Sequence, residues 1–255
     1  MTTPNALGEM GNDEDGEKAQ EIGAREANAT RAIFFVSGFG AESWAPLVPV
    51  LRERLAVGDD LLGILLLCIG IGSLVVMPLA GVLAARVGCR RVLIAAAVLY
   101  AAGLLSICFV DSFWIAVPVI FFFGGLMGCV DVVMNIAAVV VEQGIGRRIM
   151  SGMHAFWSLG GFVGAGLYGV WVALLGLTSL QSTVIAALLM LALTAIFGKN
   201  LIPYGGGGGT LIAIPRGIVV FIGAATFIAF LSEGAVMDWG GVYLTTVRGM
   251  DLALA

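Results

Sequence analysis

Charge is scarce in this chain. Of its 255 residues, 13 are Lys or Arg and 17 are Asp or Glu, so 12% are charged, against about 25% in a soluble domain. Ten of those 30 charges lie in residues 1–31. A water-soluble globule is excluded on that ground. A nucleic-acid binder would need a basic face and is excluded as well. Histidine occurs once, as His154. The four cysteines, Cys68, Cys89, Cys108 and Cys129, are scattered, with no CxxC and no Cys/His cluster. Neither a metal site nor a cofactor is therefore expected. Lysine occurs only as Lys18 and Lys199, both outside the long apolar runs, which argues against a seven-helix retinal receptor. With no Ser/His/Asp set and no phosphate loop standing out, an enzyme is not expected.

Apolar surface and glycine are abundant. Hydrophobic residues make up 60% of the chain and glycine occurs 37 times; the mean hydropathy is +1.03. That is the composition of a protein whose main partner is the lipid bilayer. A helix needs about 20 apolar residues to cross a hydrocarbon core of about 30 Å. Seven segments qualify: 32–50, 61–85, 92–110, 114–141, 150–175, 180–198 and 217–244. Their apolar character is continuous rather than alternating, which favours helices over a β-barrel. The fold class expected is an all-α membrane protein.

The predicted organisation has four parts. Residues 1–31 are expected to be a disordered acidic tail; they lack the basic start and apolar core of a cleavable signal peptide. Residues 32–198 form a six-helix bundle. Residues 199–216, with glycines from Gly205 to Gly209, form a flexible linker. Residues 217–255 hold a seventh helix and its outer end. With the amino terminus placed in the cytoplasm, ten basic residues fall on inner segments. The outer ones hold three, Arg52, Arg54 and Arg248. That bias is the positive-inside pattern. No internal sequence repeat stands out.

Polar groups inside a bilayer are costly and mark function by default. Glu42 lies within the first span, beside Gly38, Gly40 and Ser43 and before Pro46 and Pro49. Prolines there remove backbone donors and free carbonyls. Such a carboxylate suits a cation, a proton or a polar solute; pairing with a neighbouring helix is the alternative. In the fourth span, Gly124, Gly128, Asp131, Asn135, Ala138 and Glu142 recur at helical spacing and share one face. Asp131 and Asn135 therefore read either as the wall of a polar pathway or as a packing seam. His154 changes charge in the physiological range and fits proton coupling as well as a hydrogen bond between helices. Gly160 and Gly164 form a GxxxG pair that admits a close neighbour. In the seventh span Glu233 is the candidate buried functional group, and Asp238 is expected to face outer water.

The segment from Gly81 through Arg86 and Gly88 to Arg90 and Arg91 resembles the loop signature between helices 2 and 3 of the major facilitator superfamily. Its usual acidic position is Ala85 here. Longer blocks narrow the resemblance: SWAPLVP, GLMGCVDVVMN, VVVEQGIGRRIMSGMHAFWSLGG and LSEGAVMDWGGVYL. Together they resemble a bacterial branch related to fucose permeases. The resemblance implies a twelve-helix fold in two six-helix halves, with solute bound between them. It also implies a secondary transporter in the bacterial cytoplasmic membrane, moving a small polar solute such as a sugar with protons by alternating access, with Trp44 and Trp157 stacking on the solute. Glu42, Asp131, Asn135, His154, Glu233, Trp44 and Trp157 would handle solute and protons. Gly81, Arg86, Gly88, Arg90 and Arg91 would form the gating loop. Against that fold the chain is expected to be a truncated form, an amino-terminal half plus one helix. A partner half or a second copy would then complete it.

Overall fold

The computed structural model describes residues 22–204 and 216–251; the predicted acidic tail before Ile22 and the Gly205–Gly209 run lie outside them. Eight helices follow one another with no strand among the described residues: α1 (Ala24–Trp44), α2 (Leu47–Leu55), α3 (Asp59–Val87), α4 (Cys89–Ile107), α5 (Phe113–Ile145), α6 (Met150–Ala173), α7 (Ser179–Gly198) and α8 (Ile218–Thr246). Among the described residues, seven spans are long and apolar enough to cross a membrane, because α1 and α2 together make one, Ala24–Leu55. The all-α membrane class holds.

The first span begins earlier than the sequence pattern indicates. Residues 24–31, assigned above to the tail, are helical, and Ala27, Ala29 and Thr30 are buried. Small side chains let this turn pack despite Arg25 and Arg31. The Glu26 carboxylate accepts a hydrogen bond from the Gly23 N–H at 2.9 Å and caps the helix start. The span breaks at Ala45 and Pro46, between α1 and α2. Pro46 has no N–H to give to the Glu42 carbonyl four residues back, so the ladder fails beside the acidic residue.

Two helix pairs make the tightest seams. In one, α1 meets α6: a Cβ on Gly38 would strike the Trp157 carbonyl, and one on Gly160 would strike the Phe35 carbonyl. In the other, α3 meets α5. There a Cβ on Gly72 would strike the Phe121 carbonyl, and one on Gly124 the Ile69 carbonyl. The register is the same in both. Phe35 and Gly38 lie 34 residues before Ile69 and Gly72. Gly160, Gly161 and Gly164 lie 36 residues after Gly124, Gly125 and Gly128. The sequence shows no repeat, yet the packing repeats, because only the glycines and the backbone are constrained to match. The predicted GxxxG pair of α6 is half of this arrangement.

The core falls into two layers. One, around Trp44, Leu51, Tyr100, Ile107 and Phe123, lies toward the α1–α2 break. The other, around Ala27, Cys89, Met134, Met153 and Leu201, lies toward the start of α1. The helix α8 meets the bundle beside α2, where Gly241 faces Pro49 and Trp239 faces Gly63. Its first half, from Ile218 to Phe230, is exposed.

Candidate functional site

The candidate residues divide between the two layers. Glu42 is half-buried on α1, 11 residues after Arg31 and 10 before Arg52, which puts it near the centre of its span. Its Cγ lies against the backbone of α6, 2.7 Å from where a Cβ on Gly161 would sit. The charges it feels are those of Glu233 and Asp238 on α8. Among the described residues, no donor reaches its carboxylate and no cation pairs with it.

Trp44 does not offer a stacking platform. Its ring is 2% exposed and packs on Phe123 at 5.6 Å between centroids. Its indole Nε1 donates to Asp238 Oδ1 at 3.2 Å. Asp238 is thus half-buried and tied to α1, whereas Glu233 is exposed. This reverses the expectation for those two acids. The signal is that Asp238 falls beside Trp239 and Gly241, which turn toward α2, while Glu233 lies on the unpartnered stretch. Tyr100 is a residue that the sequence reading missed. It stacks on Phe123 at 5.2 Å, lies against Gly40, and feels the charge of Glu42. Its hydroxyl is fully buried with no hydrogen-bond partner among the described residues. The hint was a lone tyrosine in a run of small apolar residues.

The second layer holds Asp131, Asn135 and His154. Asn135 Nδ2 donates to the Asp131 carbonyl at 2.9 Å and lies 3.4 Å from its Oδ1. The pair is therefore bonded along one helix rather than across a seam, and both residues are half-buried. Asp131 lies within electrostatic reach of His154 on α6. His154 itself is exposed, with its ring edge-on to Phe34 at 5.3 Å. Trp157 is half-buried beside the same layer. The predicted single face of α5 therefore serves three ends. Its glycines seat on α3, its Asp and Asn stay partly open, and Glu142 turns to cap α6. The Glu142 carboxylate accepts from the N–H groups of Ile149 and Met150 at 2.7 and 2.8 Å.

The predicted loop from Gly81 to Arg91 is helical, in α3 up to Val87 and in α4 from Cys89, with Gly88 alone between them, and this junction has its own partner. Gly88 adopts φ +95°, a backbone shape that favours glycine. A Cβ there would strike the Pro203 carbonyl. The N–H groups of Cys89 and Arg90 donate to the carbonyls of Tyr204 and Ile202 at 2.9 and 3.1 Å. Arg90 Nε donates to the Leu201 carbonyl at 2.5 Å. Residues 201–204 are thus strapped onto the start of α4, where unpaired helix N–H groups need acceptors. Arg86 and Arg91 are exposed. Gly88→Ala is expected to cost about 1–3 kcal/mol and to speed protease cleavage at Pro203 and Tyr204. Gly81→Ala, inside α3 with nothing within 4 Å of the new Cβ, is expected to melt at or above the wild-type temperature.

The sequence profile of the Major Facilitator Superfamily matches residues 32–255. The chain belongs to the major facilitator superfamily. An uncharacterized MFS-type transporter of Yersinia pestis is 43% identical to it over 239 residues, covering 92% of this chain and 62% of the relative. The uncharacterized transporter y4wD of Sinorhizobium fredii is 29% identical over 229 residues, covering 86% and 59%. The membrane protein MosC of Rhizobium meliloti is 28% identical over 217 residues, covering 84% and 53%. The chain thus spans between about half and three-fifths of the length of these curated relatives. As a superfamily member it is a multi-pass membrane protein. The matched region begins at Ala32 and takes in every candidate residue of both layers.

Proposed function

We propose that this chain supplies the amino-terminal bundle and first following helix of a proton-coupled secondary transporter. It would lie in a bacterial cytoplasmic membrane with its amino terminus inside. The solute is small and polar, with a sugar-like molecule as the first class to test, in keeping with the resemblance to the fucose-permease-related branch. One observation carries the reading. Glu42 sits near mid-span, half-buried, with no cation beside it among the described residues. A structural ion pair would have supplied that cation. A carboxylate left without one is a natural place for a proton to be taken up and released. Asp131, within electrostatic reach of His154, is a second candidate closer to the amino-terminal end of the bundle.

The proposed orientation gains support from the basic residues at the opposite end. Arg52 pairs with Asp59 at 2.8 Å. Arg54 donates to the carbonyls of Ile107 and Cys108 at 3.2 and 2.7 Å, closing the end of α4. Both have local structural duties, so they weigh little against the inward bias.

A second reading is that the chain acts as a half-transporter that needs a partner half or a second copy. The apolar length of α8 favours it, since Phe221, Phe227, Ile228 and Phe230 are all exposed. One experiment tests both. The chain is reconstituted in vesicles alone and with the remaining part of the Yersinia pestis relative, beside that relative intact. A panel of labelled monosaccharides and polyols is then offered under an imposed proton gradient. Uptake that collapses when a protonophore is added supports the transporter. Uptake indifferent to the protonophore sinks proton coupling, and no uptake by any assembly sinks the transporter reading for these solutes.

A further inference from the structure

The two equivalent seams differ at one informative place. In the α3–α5 seam, Val76 fills the slot over Gly125, its Cγ2 lying 2.7 Å from where a Cβ on that glycine would sit. In the α1–α6 seam, the matching slot over Gly161 is filled by Glu42, whose Cγ stands at the same 2.7 Å. Glu42 and Val76 are 34 residues apart, like the other matched positions. The shared geometry is that of an apolar packing contact. In one seam alone that contact carries a carboxylate.

We propose that Gly161 is a positioning residue. It seats the aliphatic stem of Glu42 in the seam, so that the carboxylate is held at the seam's edge rather than swinging free. The helix seam thereby sets how far the carboxylate is exposed, and any rocking of α1 against α6 changes that exposure. This rests on the reading of Glu42 as the coupling group. The stem packs through its methylenes as Val76 does, which fixes the first torsions of a flexible side chain. The carboxyl carbon lies farther out along the same contact, 3.7 Å from where that Cβ would sit, and Glu42 is half-buried. The titratable groups facing it from other elements are Glu233 and Asp238 on α8 and Tyr100 on α4. The histidine of α6, His154, acts instead on Asp131. No group on α6 therefore competes with the steric effect of its glycine.

A Cβ at Gly161 must displace the Glu42 stem, whereas a Cβ at Gly125 must displace Val76 and touches no acid. The two alanine variants share the same nearest approach of 2.7 Å and differ in the side chain they move, with Gly125 the tighter site because the Gly72 carbonyl stands at 3.4 Å against 3.7 Å for the Gly38 carbonyl at Gly161. The purified chain in lipid nanodiscs is titrated by infrared spectroscopy. The Glu42 carboxyl band is assigned by its loss in Glu42→Gln. Gly161→Ala is expected to move the midpoint of that band by about one pH unit, a tenfold change in proton affinity. Gly125→Ala is expected to leave it in place while lowering thermal stability. Should Gly161→Ala fold poorly, Glu42→Asp shortens the stem by one methylene, draws the carboxyl into the slot and is expected to move the midpoint too. A midpoint unmoved in whichever of these variants folds overturns the positioning role. So does an equal displacement in Gly125→Ala. If no titrating band is lost in Glu42→Gln, the coupling reading falls first, and this inference falls with it.

Discussion

Gly38→Ala is expected to lower the melting temperature of the detergent-solubilised protein sharply, and Gly72→Ala to do the same. In each case the new methyl group meets a backbone carbonyl, of Trp157 or of Phe121. A side-chain end could swing aside, but a carbonyl in the middle of a helix cannot. The whole neighbouring helix must retreat, and the dispersion contacts along the seam are lost with it. Overpacking of a tight core costs about 1–3 kcal/mol, and occasionally more. A backbone obstacle belongs at the upper end. Against a total stability of about 5–15 kcal/mol, the double variant is expected to lose most of its folded yield. Gly70, Gly166 and Gly169 supply the comparison, since nothing lies within 4 Å of a Cβ added to any of them. Alanine at those positions is expected to melt at or above the wild-type temperature, since it removes a helix-interior glycine worth about 0.5–1 kcal/mol. A Gly38→Ala protein that melts with the wild type would mean that the α1–α6 seam is looser than described.

Glu42→Gln is expected to abolish concentrative uptake while leaving the fold intact. The amide keeps the stem that packs over Gly161 and removes the proton-binding group. A potential of 100 mV acting on one transferred charge supplies about 2.3 kcal/mol, enough for roughly fortyfold accumulation. Without a coupled proton, that gradient relaxes to simple equilibration across the vesicle wall. Downhill exchange of solute should survive, because the stem and its neighbours are unchanged. The measurement is accumulation ratio and counterflow in the same vesicles, on the assembly that transports. Asp131→Asn provides the parallel test in the other layer. If both variants accumulate solute as well as the wild type does, proton coupling through these carboxylates is wrong.

The sequence disclosed some parts of this structure and hid others for definable reasons. The spans were legible because hydrocarbon thickness sets a length that a linear pattern can display. The start of α1 was not, because Arg25, Glu26 and Arg31 masked a turn whose burial depends on Ala27, Ala29 and Thr30 meeting other helices. The significance of Gly160 and Gly164 was visible in their spacing. That of Gly38, Gly72 and Gly161 was not, since a glycine becomes necessary only when the opposing backbone is known. Glu42 and Asp131 stood out as charges in apolar runs. Their separation into different layers was invisible, because depth along one helix does not reveal which neighbour lies across from it. Asp238 exchanged roles with Glu233 because Trp44, beside the α1–α2 break, packs on Phe123 of α5 and donates to Asp238 of α8. A distance of 194 residues along the chain leaves no local trace.

The matched glycine seams bear on how this lineage tolerates genetic change. Any missense codon at Gly38, Gly72, Gly124 or Gly160 adds at least one heavy atom where backbone already stands, so selection sees no mild allele there. The intervening lipid-facing positions carry no such penalty and are free to drift. A saturation survey of growth-supporting variants would therefore trace two narrow columns of intolerance set among permissive neighbours. Those columns would map which helices touch without any coordinates at all.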